Sequence, residues 1–268
     1  MYGFSKQFLY IVLLLDFPVN EISASGFVWK EKAGNLSKRN LVNHSNGLFV
    51  RFIPERACFV MSFFWNRFLS VPGTPDGMMS PSAFFSRLPV LETGDLVLRK
   101  PAMKDAKDVF SYASDPEVAR YVLWDPHRSL SETRSFIRFL RSRIRAGYPS
   151  SWVVVLKETG RVIGTIGFIW YSDVNRSAEL GYSFSREYWN HGYATQSLKA
   201  VISAAFTSLP LNRLEAQHDV RNPASGRVME KSGLRQEGIL RDRVFNKGEY
   251  VDVALFAILR SDWENSQR

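Results

Sequence analysis

The sequence predicts a mixed α/β domain in which about four helices flank a mostly antiparallel central sheet. Two strand–turn–strand patterns follow each other directly over residues 152–184, which predicts antiparallel neighbours. Residues 195–209 then carry apolar side chains at i, i+3, i+4, i+7, i+8 and i+11, the spacing of an amphipathic helix. A last hairpin is predicted around residues 246–248. Together these patterns predict one folded domain.

The individual elements follow from local patterns taken in chain order. A short apolar run that Pro101 ends predicts the first strand, and apolar residues recur at helical spacing over 103–113. Ser129 and Glu132 form an S-x-x-E capping box, which predicts the start of a second helix that Gly147 ends. The predicted elements are strand 96–99, helix 103–113, helix 129–147, strands 152–158, 162–171 and 177–184, helix 195–209, strand 213–220, helix 222–233 and a hairpin over 234–259.

The composition excludes several classes of protein. Of the 268 residues, 45% are apolar and 14% aromatic, which is typical of a folded chain and not of a disordered one. The single cysteine rules out an intramolecular disulfide and a Cys-x-x-Cys zinc site, and the four histidines lie far apart, so we expect no metal site. The net charge of +9 fits a partner that carries phosphate groups, either a cofactor or a nucleic acid.

The beginning of the chain has a less regular hydrophobic pattern than the rest. We expect residues 1–90 to be a weakly structured extension or linker, not necessarily part of the native protein, and residues 91–268 to be the folded domain. The apolar run 8–15 is too short for a membrane span, which takes about 20 residues, but it has features of a signal peptide. The aromatic stretch 59–69 predicts a membrane-surface segment or a short docked helix. Residues 71–89, rich in Pro, Gly and Ser, predict a linker.

The loop between strand 177–184 and the long helix predicts an anion site. The first turn of a helix has unpaired backbone N–H groups and a partial positive charge, and Gly192 lets the backbone approach an anion closely. The alternative is an ordinary helix start, with Thr195 as the N-cap residue.

Glu179, in the strand before that loop, is a candidate general base. Because side chains alternate along a strand, Glu179, Gly181 and Ser183 share one face. Glycine inside a strand often marks the close approach of a ligand, and a carboxylate on the face that it opens can accept a proton. The alternative is a solvated glutamate at the edge of the sheet.

The segment Asn222-Pro223-Ala224-Ser225 predicts the start of another helix. Asn at the N-cap and Pro at the first helical position are sufficient to explain this start without a catalytic role. Ser225 then lies in the first turn, where its hydroxyl faces whatever occupies the mouth of the helix.

Three motifs in this order resemble those of the GNAT superfamily of acyl-CoA-dependent N-acetyltransferases: LETGDLVLRKPAMKDA, AELGYSFSREYWNHGYAT and HDVRNPASGRVMEKSGL. More narrowly, they resemble the branch that acetylates the N-termini of ribosomal proteins, the ribosomal-protein-alanine acetyltransferases. The similarity covers residues 91–263. It implies a GNAT-like fold and acetyl-CoA as co-substrate. Trp189 stands where the superfamily has Gln or Arg, as is common in this branch.

The resemblance also implies which residues bind acetyl-CoA. In the family, the glycine loop binds the pyrophosphate, and the second half of the preceding strand pairs with the pantetheine arm like an added strand. The cofactor-binding residues implied for this chain are Gly181, Tyr182, Ser183, Phe184, His191, Gly192, Tyr193, Ala194, Thr195, Asn222 and Lys231.

Two catalytic residues follow from the same resemblance. Glu179 matches the position from which several family members supply the base that deprotonates the amine. Many members protonate the departing thiolate with a tyrosine, but Met229 stands at that position here. We therefore expect Ser225 to act as the general acid.

The function expected from the sequence is direct acetyl transfer to a primary amine, in particular a protein N-terminal α-amine of the ribosomal-protein type. We expect a cytoplasmic monomer or homodimer without a membrane span, associated with ribosomes. The alternatives are an acetyltransferase for a small amine, such as an antibiotic, polyamine or amino acid, and a non-catalytic module that binds acyl-CoA or RNA.

Overall fold

The structure, a computed structural model, describes residues 77–268. The predictions for the apolar run 8–15 and the aromatic stretch 59–69 lie outside these residues. Within the described part of the chain, no helix is long and apolar enough to cross a membrane.

Eight strands form one sheet in the order β1-β2-β3-β4-β5-β6-β8-β7. The strands are β1 (Leu91–Glu92), β2 (Leu96–Arg99), β3 (Ser151–Leu156), β4 (Val162–Ser172), β5 (Ser177–Phe184), β6 (Arg213–Asp219), β7 (Arg235–Asn246) and β8 (Glu249–Leu259). All neighbouring strands are antiparallel except β5 and β6, which are parallel. The predicted fold class, a mixed α/β domain with a mostly antiparallel sheet, is confirmed.

Seven helices lie in the described part of the chain. They are α1 (Pro81–Arg87), α2 (Ala106–Ala113), α3 (Pro116–Ala119), α4 (Leu130–Arg145), α5 (Tyr193–Ser208), α6 (Pro223–Lys231) and α7 (Arg260–Ser266), with 3-10 turns at Met103–Asp105 and Arg186–Tyr188. Four of them, α2, α4, α5 and α6, are those that the sequence predicts. Helix α3 was not predicted, although it has a local sequence signal: Asp115 is its N-cap residue and Pro116 its first residue.

The core has two parts, one on each face of the sheet. The larger part packs β3 and β4 against α5 and includes Trp152 and Phe206, both completely buried. The smaller part packs α2 and α4 against the other face, where Val109 and Ile137 meet Val153. Alternate residues of β3 therefore serve both parts, as the pleat of a strand requires.

The predicted linker 71–89 is wrong in its last part, because α1 belongs to the larger core. Phe84 and Phe85 on α1 and Leu88 directly after it are at most 1% exposed. Each buried side chain of this size stabilises the fold by about 1.5–3 kcal/mol. The Pro and Ser that indicated a linker instead begin the helix, since Ser80 is its N-cap and Pro81 its first residue.

The sheet opens between β5 and β6, the only parallel neighbours among the described residues. β5 and β6 pair at three positions, from Ser177↔Arg213 to Glu179↔Glu215, and no further. β5 continues along β4 as far as Phe184, and β6 continues along β8 as far as Asp219. The facing edges of β5 and β6 beyond Glu179 therefore have no strand partner in the described chain.

Candidate functional site

Glu179 lies where β5 and β6 separate. The indole Nε1–H of Trp170 donates to its Oε2 at 2.5 Å, and the side-chain amide of Gln217 donates to its Oε1 at 3.1 Å. Burial raises the pKa of the Glu179 carboxyl above its ordinary value, although these two hydrogen bonds oppose the rise. A carboxylate with a raised pKa accepts a proton more readily, as general base catalysis near neutral pH requires.

A β-bulge builds the surroundings of Glu179. The register of β4 against β5 shifts between Phe168 and Trp170, so one residue of β4 has no opposite partner. Trp170 reaches Glu179, and Ile169 lies beside Gly181, where a Cβ atom would be 2.8 Å from its Cδ1. The bulge thus turns both side chains to the face of Glu179, which we call the carboxylate face.

Gly181 makes room for Ile169, and this contact is its evident structural role. The Ile169 side chain is 57% exposed, so this part of the carboxylate face is open to solvent. Ser183, the next residue on the same face, is partly buried. The structure therefore places Glu179, Gly181 and Ser183 along one accessible edge of the gap.

The opposite face of β5, which we call the hydroxyl face, brings Tyr182 to Ser225. The Tyr182 hydroxyl lies 2.8 Å from Ser225 Oγ and donates to the Ser225 backbone carbonyl at 3.0 Å. Tyr182 thereby spans the gap from β5 to the first turn of α6, the helix that follows β6. Burial raises the pKa of the Tyr182 hydroxyl, so it stays protonated near neutral pH.

The loop that leads into α5 has the properties of an anion site. Gly192 is the N-cap residue with a φ of +82°, and no side chain caps the helix. A Cβ atom at Gly192 would meet nothing within 4 Å, so the space beside this residue is open. The prediction that Thr195 caps this helix is wrong, because the left-handed backbone of Gly192 starts it three residues earlier.

The residues before α5 fix the loop. The Trp189 indole donates to the Phe184 carbonyl at 2.9 Å and ties the loop to the end of β5. The His191 ring is stacked on Tyr193 at 5.6 Å between ring centres, and its Nδ1 lies 2.8 Å from the Trp189 carbonyl. Phe184 is buried.

The side chain of Asn222 caps the first turn of α6. The Asn222 side chain accepts from the Ser225 backbone N–H at 3.4 Å, so the predicted N-cap at Asn222 and the start at Pro223 are confirmed. Lys231 is exposed in the last turn of this helix, about 13 Å along the axis from Asn222 at 1.5 Å per residue. The structure brings Ser225 to Tyr182 but places Lys231 at the other end of α6.

The sequence analysis did not predict the contacts that three side chains make in the site: Trp170, Gln217 and Tyr182. For Gln217 a signal existed, because alternation along β6 puts it on the face of Glu215, beside Glu179 in a parallel neighbour. The contact of Trp170 depends on the bulge, which nothing in the local pattern of β4 indicates. In the described residues, no group of three or more His, Cys, Asp or Glu side chains could hold a metal ion.

Comparisons with known proteins show which family the sequence is similar to. Residues 95–235, more than half of the chain, match the family described as "Acetyltransferase (GNAT) domain". The uncharacterized N-acetyltransferase p20 of Bacillus licheniformis is 35% identical over 173 residues, which are 65% of this chain and 97% of that protein.

Two further comparisons concern a curated relative and a solved structure. The ribosomal-protein-serine acetyltransferase of Escherichia coli is 28% identical over 130 residues, which are 48% of this chain and 72% of that protein. The crystal structure of a GNAT-family acetyltransferase from Bacillus anthracis is similar at a TM-score of 0.59 and 28% identity, over 65% of this chain and 99% of that one.

Proposed function

The chain belongs to the GNAT acetyltransferase family, and from this premise we propose that it transfers an acetyl group directly from acetyl-CoA to the N-terminal α-amine of a protein. The observation that carries the proposal is the position of Glu179. It is a partly buried carboxylate, held by Trp170 and Gln217, at the point where two parallel strands separate. We therefore assign Glu179, where β5 and β6 separate, as the base of this N-acetyltransferase.

Two features of the structure, the free edge of β5 and the first turn of α5, suit the binding of acetyl-CoA. The free edge of β5 beyond Glu179 has backbone groups that a pantetheine arm could pair with, as in strand addition. The open first turn of α5 behind Gly192 suits a pyrophosphate. When bound there, acetyl-CoA supplies a thioester as the acetyl donor.

Glu179 would take the proton that the amine must lose before it attacks. An α-amine has an ordinary pKa of about 7.7–8.0, against about 10.4 for a lysine side chain. Because a carboxylate is a weak base even with a raised pKa, it removes a proton far more readily from the α-amine. This argument supports an N-terminal acceptor over a polyamine or a lysine.

Ser225 would give a proton to the departing thiolate. Its Oγ lies 2.8 Å from the Tyr182 hydroxyl oxygen. While the Tyr182 hydroxyl donates to the Ser225 carbonyl, it can accept from the Ser225 hydroxyl and so hold that hydroxyl in place. Met229, at the place of the family's tyrosine, is 1% exposed and packs in the core. Ser225 is therefore the hydroxyl of α6 that we assign to this step.

The names of some relatives support a ribosomal protein as the acceptor, whereas another relative, from Vibrio cholerae, is named spermidine N(1)-acetyltransferase. The Escherichia coli relative is named for acetylating ribosomal-protein serine, and the chain's motifs resemble the alanine branch. With such an acceptor, the enzyme would act in the cytoplasm beside ribosomes.

The test is a thiol-release assay with acetyl-CoA. The acceptors are peptides with N-terminal serine or alanine, the same peptides with a blocked N-terminus, and spermidine. We expect release with the free peptides only. Release with spermidine alone would establish the small-amine alternative. No release with any acceptor, together with RNA binding that survives saturating acetyl-CoA, would establish a non-catalytic module.

A further inference from the structure

Four arginines lie along one side of helix α4. They occur at i, i+4, i+7 and i+11, and each directly follows a buried residue of the helix, so they lie together beside its buried side. At 1.5 Å per residue, the row is about 17 Å long. Three of the four side chains are exposed and one is half-buried. The members of this row, which we call the arginine stripe, are Arg134, Arg138, Arg141 and Arg145.

The arginine stripe forms no ion pair with any of the described residues. Glu132, the only acidic residue of α4, lies on the other side of the helix, at about 100° per residue, and accepts from a backbone N–H. The 3-10 turn before α2 and α2 itself pack against α4, and their acidic residues are Asp105 and Asp108. These two pair instead with Arg99 at 2.8 Å and Arg161 at 3.8 Å.

The spacing of the arginine stripe is unfavourable for a helix face that contacts only solvent. Such a face usually mixes charges, because opposite charges at i and i+4 stabilise a helix. Here Arg134 and Arg138 form one like-charged pair at i and i+4, and Arg141 and Arg145 form another, and such pairs destabilise a helix. A negatively charged partner bound along the stripe would offset this repulsion.

Two lysines extend the positive charge beyond α4. The Arg141 guanidinium donates to the Pro101 carbonyl at 3.4 Å, in the segment between β2 and α2. Lys100 and Lys104 lie on either side of Pro101 in the sequence, and both are exposed. Lys104 belongs to the 3-10 turn that packs against α4. We call the arginine stripe together with these two lysines the basic surface.

A row of phosphate groups is the ligand that fits the basic surface. The guanidinium of arginine has a planar fork of donors that can bind a phosphate with two hydrogen bonds. An anionic membrane also carries phosphates, but a helix that binds a membrane surface needs large apolar side chains as well. Among the described residues, the large exposed apolar side chains include none on α4. The basic surface therefore favours a nucleic acid over a membrane.

We propose that the basic surface binds the phosphate backbone of RNA and thereby docks the enzyme beside its acceptor. The choice of RNA rests on the proposed function, because a ribosomal protein lies among RNA. We expect little dependence on the RNA sequence, because contacts to phosphates carry no sequence information. No residue of the basic surface belongs to the site around Glu179, so RNA binding and acetyl transfer can be measured separately.

The test removes three charges from the basic surface of the full chain. The stripe variant combines Arg134→Gln, Arg138→Gln and Arg145→Gln, since glutamine and arginine have similar helix propensities. The matched control removes three exposed cations elsewhere: Lys157→Gln, Lys199→Gln and Arg235→Gln. Fluorescence anisotropy gives the Kd for a labelled RNA duplex over a KCl series from about 50 to 200 mM. Thiol release with a free N-terminal serine peptide gives the activity of each protein.

For the wild-type protein we expect log Kd to rise linearly with log salt, because binding releases counterions from the phosphates. The stripe variant should lower this slope by about 2–3, at roughly 0.7–0.9 for each lost phosphate contact, and raise Kd by about 10²-fold at low salt. The control should change Kd by less than about threefold, because its cations make no phosphate contact. Both variants should acetylate the free peptide as the wild-type protein does, which also shows that they are folded.

Three outcomes would overturn the inference. The first is a wild-type protein that does not bind the duplex. The second is an equal loss of binding in the stripe variant and the control, which would mean that only net charge matters. The third is stripe-dependent binding to vesicles of phosphatidylserine and phosphatidylcholine that is tighter than binding to RNA, which would make a membrane the partner.

Failure of the proposed function would give a different result. In that case the wild-type protein releases no thiol with the serine peptide, yet its RNA binding still depends on the arginine stripe. That result would refute the proposed function and leave the basic surface as an RNA-binding site.

Discussion

The two faces of β5 carry opposite proton chemistry within one short strand. On the carboxylate face, Glu179 has a raised pKa and two donors that hold it, which suits the acceptance of a proton. On the hydroxyl face, the Tyr182 and Ser225 hydroxyls are 2.8 Å apart and suit the donation of one. Because side chains alternate along a strand, the proposed base and the proposed acid lie on opposite faces of the sheet, and we expect a change to one to leave the other in place.

The largest expected effect comes from removing the proposed base, Glu179. Glu179→Gln should lower kcat by about 10²–10⁴-fold, because a positioned general base contributes that much. The variant should also lose the rise of kcat with pH that deprotonation of a base produces. Acetyl-CoA affinity, measured by calorimetry, should remain within twofold. Unchanged turnover would remove Glu179 from the mechanism.

Removing the proposed acid, Ser225, should have a smaller effect on kcat. Ser225→Ala should lower kcat about 10-fold, which corresponds to about 1.4 kcal/mol on the barrier, because a thiolate can leave without a dedicated acid. The pH at which the rate rises should not move, since that limb belongs to the carboxylate face. Steady-state kinetics across a pH series measures both quantities. A shift of the rising limb in this variant would show that the two faces are coupled.

Removing the hydrogen bond from Trp170 changes the pKa of Glu179 but keeps the carboxylate. The indole N–H stabilises the ionised form of Glu179, so Trp170→Phe should raise the pKa of the Glu179 carboxyl further. Glu179 must be deprotonated to act, so the rising limb of kcat should move to higher pH and the rate should recover there. Trp124→Phe, in the core part on α2 and α4, is the control. An equal loss of kcat at every pH would contradict an effect of Trp170 on the pKa of Glu179.

The smallest expected effect concerns the hydroxyl face and stability. Tyr182→Phe removes a hydroxyl that bonds both to Ser225 Oγ and to its carbonyl, and should lower the free energy of unfolding by about 1 kcal/mol. Because the two residues share a hydrogen bond, the effect of Tyr182→Phe with Ser225→Ala should be less than the sum of the single effects. Chemical denaturation measures all three variants. Strict additivity would mean that the contact contributes nothing.

Local signals predicted much of the fold. The capping Ser129 accepts from the Glu132 N–H at 3.2 Å, and Asn222 and Pro223 begin α6, as the sequence indicates. The final hairpin also turns where expected, at Lys247 and Gly248, both with positive φ. These features depend on residues within a few positions of one another, and for that reason a sequence pattern can predict them.

The prediction failed where distant packing outweighed local composition. Pro and Ser before α1 indicated a linker, yet the sheet offers a surface that buries Phe84 and Phe85. Gly226 inside α6 has no local explanation. In the structure, a Cβ atom there would be 2.8 Å from His218 Nε2, so only glycine lets the helix approach β6.

The sequence by itself determined the order of strands β2 to β8 and of helices α2, α4, α5 and α6, the caps of α4 and α6, and the motifs that resemble an acetyltransferase. Those depend on periodicity and on contacts between near neighbours. Only the tertiary structure decided which partners each site residue has. The bulge that turns Trp170 to Glu179 and the approach of α6 that brings Ser225 to Tyr182 join residues on different elements. The physical reason is that such contacts come from the packing of whole elements, whose register and crossing no local pattern contains.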